Sequence, residues 1–159
     1  MNLQTFIDAL ATGSGASYSV TQGQPTTGIM ASIRGFEETI DVSRDNLELI
    51  KSHVIDYIGK HGIMLGGIDN YLGGWWHEGK LVLDVSTRFD ATDMDTAVVF
   101  GMNHGQKAIY SIDLEKEYEL PMAQEHGTET QKATYIHQQA DRIANDYNRE
   151  YFSKIAESL

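Results

Sequence analysis

Cysteine is absent from the 159 residues, which excludes disulfides, cysteine-ligated zinc and cysteine nucleophiles. The absence fits a reducing compartment. Long apolar runs are missing too: nothing approaches the ~20 residues that a membrane-spanning helix needs. The opening MNLQTFIDALATGSG has no basic residue ahead of its apolar part. That argues against a secretory signal and reads as a short helix. Basic residues are scarce, with 12 Lys and Arg against 23 Asp and Glu, a net charge of −11. Phosphate backbones attract basic surfaces, so direct nucleic-acid binding is disfavoured. The acidic balance serves solubility. It also suits a protein partner with a basic surface, including a nucleic-acid site blocked by an acidic decoy. Catalytic signatures are absent: there is no phosphate loop, GxSxG elbow or HExxH pair. The glycines at 66–67 and 73–74 miss the dinucleotide fingerprint and read as turn or bulge positions. His53, His61, His77, His104, His126 and His137 form no i, i+4 pair. No metal site and no cofactor are expected.

What is present suits one domain, 1–159, of α+β class. It divides into an N-terminal helix and loop (1–27), an α+β core (28–120) and a C-terminal helix (128–158). Leu3, Phe6, Ile7 and Leu10 make a helical stripe, ended by Gly13 and Gly15. The loop from Ser14 to Gly28 holds a short extended piece, Tyr18–Val20. Residues 28–42 alternate as one strand or a hairpin with Gly35 at its bulge or turn. Ser43 or Asp45 caps a helix over 45–60, which Gly62 ends. IMLGG (63–67) is a short strand or a loop. Residues 74–77 and 81–87 form a hairpin around His77–Lys80. Leu81, Leu83 and Val85 face one side of it, and Val82, Asp84 and Ser86 the other. A helix over 92–103 and a strand over 107–112 follow. A helix over 128–158 would be about 45 Å long. Its end should project, bend or pack on another copy. The fold is therefore a small, mostly antiparallel sheet packed against two or three helices, closed by that long helix.

Three groups of residues are candidates for function. Trp75 and Trp76 are adjacent strand residues and point to opposite faces. One belongs in the core, and the other lies on the second face or under the C-terminal helix, unless it is a partner anchor. Asp113, Glu115, Glu117 and Glu119 alternate as exposed strand positions do, with Lys116 the one base among them. They are either a guarded edge or an acidic partner surface. Asp84, Arg88, Asn103, Gln106 and Lys107 would, if gathered, make a polar pocket suited to nucleotide or small-molecule chemistry. The bland alternative is an Asp84–Arg88 ion pair with cap and turn bonds.

The motif order TGIMASIRGFE, a helix, GIMLGG, GGWWHEGKLVLDVSTRF, an acidic helix start and NHGQKAIYSIDLEKEYEL resembles a family of small phage and mobile-element proteins, mainly of actinobacteria and relatives. The resemblance spans residues 26–120. The long C-terminal helix and the IDNYLGG insert before Trp75 depart from that family's pattern. The likeness implies a mobile-element setting, in the cytoplasm of the infected or host cell, and little chemistry. The leading expectation is thus a non-enzymatic protein that binds a basic host protein, such as an anti-CRISPR-like inhibitor of antiviral defence. Two others stand beside it. One is a small enzyme using the Asp84/Arg88/Asn103/Gln106 region. The other is a homo-oligomeric scaffold joined through the C-terminal helix. Membrane association is not expected.

Overall fold

The computed structural model describes residues 2–13, 15–19 and 21–159. The chain is α+β: every strand pairing described is antiparallel, and a 29-residue helix closes it. The described residues group into two compact units. One contains 1–25 and 35–87, the other 26–34 and 88–159. No helix among the described residues is long and apolar enough to cross a membrane.

The first unit begins with α1 (Leu3–Thr12), whose N-cap Asn2 side chain accepts from the Thr5 N–H. Its stripe of Phe6, Ile7 and Leu10 is buried. The extended piece is β1 (Gly15–Tyr18), earlier than Tyr18–Val20; Val20, like Ser14, lies outside the described residues. The 28–42 segment is not one strand or a hairpin. It holds β2 (Ile29–Ser32) and β3 (Glu38–Ile40), which pair with different strands. Gly35 between them has φ +96°, a conformation that favours glycine.

Helix α2 (Leu47–Lys60) is capped by Asn46, not by Ser43 or Asp45: Asn46 Oδ1 accepts from the Leu49 N–H at 3.1 Å. Ser43 is spent one turn earlier, where its carbonyl accepts from Asn46 N–H. The run 63–67 is not a strand. Gly62 opens a short helix, α3 (Gly62–Leu65), and Leu65 N–H reaches back to the His61 carbonyl at 3.0 Å. Gly62 has no positive φ, so it does not end the helix as a left-handed glycine would.

Strand β4 (Asn70–His77) is longer than the hairpin arm expected, and β5 (Lys80–Phe89) returns from it. The turn residues Glu78 and Gly79 have φ +51° and +78°, matching a two-residue turn with both centres left-handed. In this unit the strands run β1–β4–β5–β3. Gly73 and Gly74 sit inside β4, not in a turn. A Cβ on Gly74 would lie 2.8 Å from Leu10 and 3.2 Å from Phe6, so α1 needs that bare backbone to pack on the strand. A Cβ on Gly73 would collide with Asp84 Oδ1 across the ladder.

The second unit contains β2, α4 (Met94–Asn103), β6 (Ala108–Ser111), β7 (Lys116–Glu119) and α5 (Glu129–Glu157). The order of its strands is β2–β6–β7. One core joins Ile29, Ala31, Met94, Val98, Met102 and Ile109 to Ile136, Ala140, Ile143 and Tyr147 of α5. Tyr147 is fully buried, and its hydroxyl donates to the Ala91 carbonyl at 2.7 Å. Helix α5 opens on a capping box, with Thr128 and Gln131 exchanging side-chain and backbone bonds. Every residue from Phe152 onward is exposed.

Candidate functional site

The acids 113–119 are divided by a turn that the alternation did not reveal. Strand β6 stops at Ser111, whose Oγ accepts from Leu114 N–H at 3.1 Å. Residues 112–115 form the turn, with Glu115 at φ +51°. Asp113 and Glu115 are therefore turn residues and do not continue the strand pattern. The Asp113 carboxylate accepts from Gly28 N–H at 2.7 Å, and its carbonyl accepts from Lys154 Nζ. Asp113 holds three segments together and is not a free acid.

Glu117 and Glu119 are different. Their neighbours Lys116 and Tyr118 turn toward α5, where both meet Glu150. Lys116 Nζ lies 2.8 Å from one carboxylate oxygen, and the Tyr118 hydroxyl donates to the other at 3.4 Å. The Lys116 ammonium holds the Glu150 carboxyl below its usual range by hydrogen bonding. Partial burial, then the Glu150 charge, pushes the Tyr118 hydroxyl up to about 12. Strand alternation points Glu117 and Glu119 the other way, and both are exposed. Tyr110, directly across from Glu117, shares that face and is 44% exposed.

The hydrogen-bond phase of this hairpin exposes backbone as well. Leu120 N–H donates to the Lys107 carbonyl at 2.8 Å. Antiparallel ladders alternate, so Tyr118 and Lys116 also bond inward to β6. The N–H and C=O groups of Glu117 and Glu119 then point outward. Among the described residues β7 pairs with β6 alone.

Charge is concentrated here. The second unit carries thirteen acids and eight bases, a net of −5. Residues 113–129 hold six of those acids and one base, so they account for the whole excess. All of residues 122–131 are exposed.

Neither tryptophan enters the core, contrary to expectation, and Trp76 is committed to α1. Trp76 shares the Gly74 face, and its ring N–H donates to the Leu10 carbonyl at 2.7 Å. This satisfies one carbonyl that the end of α1 would leave unpaired. The Arg44 guanidinium lies 5.0 Å from the Trp76 ring centroid and donates to the Gly13 carbonyl at 2.9 Å. Trp75, on the opposite face, stands between Gly15 and Val82. Both are half-buried.

The residues of the expected polar pocket fall in both units. Asp84, in the first, is 1% exposed, and Ser86 Oγ lies 3.5 Å from its carboxylate. In the second unit, Arg88 donates to the Thr27 carbonyl at 2.6 Å and lies 3.4 Å from Asp90. Gln106 donates to the His104 carbonyl at 3.2 Å, while Asn103 and Lys107 are exposed. Two shallow depressions lie along α5 instead, one around Arg149 and Lys154, the other around Thr130 and His137. Among the described residues no group of three His, Asp or Glu could hold a metal ion.

One arrangement was invisible in sequence. His104 stacks on Phe100, and its Nδ1 accepts from the Arg34 N–H at 3.0 Å. Burial, then the Arg34 charge, lowers its pKa. The local signal was a histidine at a helix end. Its partner is 70 residues away.

Family models, curated proteins and solved structures offer no match to this chain. Its function has to be inferred from its own geometry and charge.

Proposed function

We propose that this chain is a non-enzymatic binding protein whose acidic segment 113–129 engages a basic surface on a partner protein. The observation that supports it is the siting of the second unit's entire charge excess on one stretch, 113–129, most of it exposed, that contains an open strand. Charge of one sign, gathered in one place, steers a complementary partner and speeds its association. Tyr110 beside Glu117 supplies an aromatic contact at the same face. In the mobile-element setting that the resemblance implies, the partner is a host protein. The concrete form is then occlusion of a nucleic-acid-binding surface, as in an inhibitor of antiviral defence acting in the cytoplasm.

The test is a pull-down from lysate of a defended bacterial host, run at low and high salt. The bait is compared with the double variant Glu117→Lys/Glu119→Lys. The expected result is a specific protein held by the native chain at low salt, released by added DNA and lost with the reversed charges. Finding no specific partner at low salt, or one indifferent to charge reversal, overturns the proposal.

A scaffold assembled through α5 has one observation in its favour. Phe152 and Ile155, three residues apart near the end of α5, are exposed, as is Leu159 just beyond it. If these residues join copies, Phe152→Ser/Ile155→Ser/Leu159→Ser will lower the mass in solution. An unchanged mass removes the reading.

A further inference from the structure

We infer that the occupant of the acidic edge is an extended basic segment that adds to β7 as a further antiparallel or parallel strand. The inference rests on the basic-partner reading above and goes beyond it. It names the backbone of Glu117 and Glu119 as the recognition element and fixes the pattern of the partner.

The phase of the ladder decides what β7 has left to offer. Lys116, Tyr118 and Leu120 spend their backbone groups on β6, which leaves the N–H and C=O of Glu117 and Glu119 pointing away from it. Such a row of unpaired groups is a template for another strand. The strand is short, four residues, so backbone bonds alone would hold an added chain weakly. Side chains must supply the rest, and the two faces of β7 differ. On one face lie Glu117 and Glu119 with Tyr110 beside them. An incoming residue on this face meets two carboxylates and an aromatic ring, a setting that favours arginine or lysine. On the other face, Lys116 and Tyr118 are already engaged by Glu150. An incoming residue there meets a neutralised pair and needs no charge. The fitting segment therefore alternates basic and uncharged residues with a period of two.

A second copy of the chain is a poor occupant. Pairing β7 with β7 would place Glu117 and Glu119 beside the same acids of the other copy, and like charges across a ladder repel. A folded basic surface could satisfy the acids but would leave the outward backbone groups unpaired.

The probe is a short synthetic peptide alternating arginine with threonine, titrated at low salt onto the full chain. The readout is amide exchange by NMR. Exchange of the Glu117 and Glu119 amides should slow about tenfold or more at saturation. The Lys116 and Tyr118 amides, already bonded to β6, should change little. Glu119→Pro removes one outward N–H without touching the β6 ladder and should abolish that protection. Glu119→Gln keeps the backbone and removes only a charge, so it should weaken the peptide less than Glu119→Pro does. A folded basic protein, cytochrome c, serves as the comparison probe. If the peptide binds without selective protection, or binds Glu119→Pro as well as the native chain, strand addition is wrong and the basic-partner reading stands. Strand addition is equally wrong if cytochrome c binds and the peptide does not. If neither binds, both ideas fall. A native chain whose mass rises with concentration through β7 would name a second copy as occupant and overturn the inference.

Discussion

Two hairpins in this molecule invite opposite readings from their residues. The β4–β5 hairpin carries Trp75, Trp76, a tight Glu78-Gly79 turn and a run of apolar and polar alternation. It looks like a binding platform. The β6–β7 hairpin is short and acidic and looks like solvated surface. Packing separates them the other way. Strand β4 lies between β1 and β5, and β5 carries β3 on its outer side, so both strands of the first hairpin are paired on both edges. The polar atom of Trp76 is consumed by Leu10. In the second hairpin, β7 pairs with β6 alone among the described residues, and its acids stand outside. Recognition capacity follows what the backbone and polar atoms have left to offer, and residue type by itself is a poor guide to that.

Spoiling the closed hairpin should have the largest effect. Gly74→Val puts a branched side chain where Leu10 and Phe6 already sit, at 2.8 and 3.2 Å from the first added carbon. Both neighbours are fully buried, so giving way means shifting packed core side chains. Overpacking of this kind costs about 3 kcal/mol. Urea unfolding of the variant should show that loss, with α1 as the displaced element. A loss below about 0.5 kcal/mol would mean that α1 does not depend on the bare strand. Trp76→Phe comes next. It keeps a ring in place but removes the donor to Leu10 and weakens the Arg44 contact, for a cost of about 1.5 kcal/mol. Faster amide exchange confined to the last turn of α1 would check the assignment.

Much of the closed hairpin was legible in sequence, and so were α1, α2, α4 and α5. Leu3, Phe6, Ile7 and Leu10 announced α1, and the helix expected over 128–158 is α5. Alternation from Leu81 to Val85 placed β5. What escaped has physical reasons. Gly73 and Gly74 look like turn residues, and only the approach of Asp84 and α1 explains them inside a strand. The 28–42 run looks like one element because local alternation does not say which strand each half will pair with. The β6–β7 turn escaped because its left-handed residue is Glu115, where a glycine or asparagine would have signalled it. The acids themselves were plain in sequence. Which two remain free was decided by that turn and by the ladder phase, both beyond local pattern.

His104 is a closed polar site within the second unit, and its effect should be milder. Its Nδ1 must be unprotonated to accept from Arg34 N–H. Its folded pKa lies below the ordinary 6.5. A depressed pKa means that the unfolded chain binds the proton more readily. The stabilising contribution is present above pH 6.5 and is lost as pH falls through the folded value. Asparagine offers an acceptor oxygen near the same place but does not titrate. Thermal unfolding of His104→Asn should therefore lose less stability than the native chain between about pH 7.5 and 5. Equal losses would remove His104 as the cause.

The smallest effect on stability should come from the open edge, and that is why it is informative. Glu117 and Glu119 are exposed, and neither makes a side-chain hydrogen bond or ion pair among the described residues. Replacing both, as Glu117→Thr/Glu119→Thr, should change the unfolding free energy by no more than about 0.5 kcal/mol. Threonine suits a strand and brings no charge, so the edge keeps its shape and loses its repulsion. Two such edges can then pair, and the variant should gain mass with concentration while the native chain does not. Light scattering across a concentration series reads this directly. If the variant stays as dispersed as the native chain, the outward groups of β7 are not a usable template. The contrast between a closed hairpin and an open one would then lose its meaning. If it associates with its stability unchanged, the acids are what keep an otherwise adhesive strand available to a basic partner.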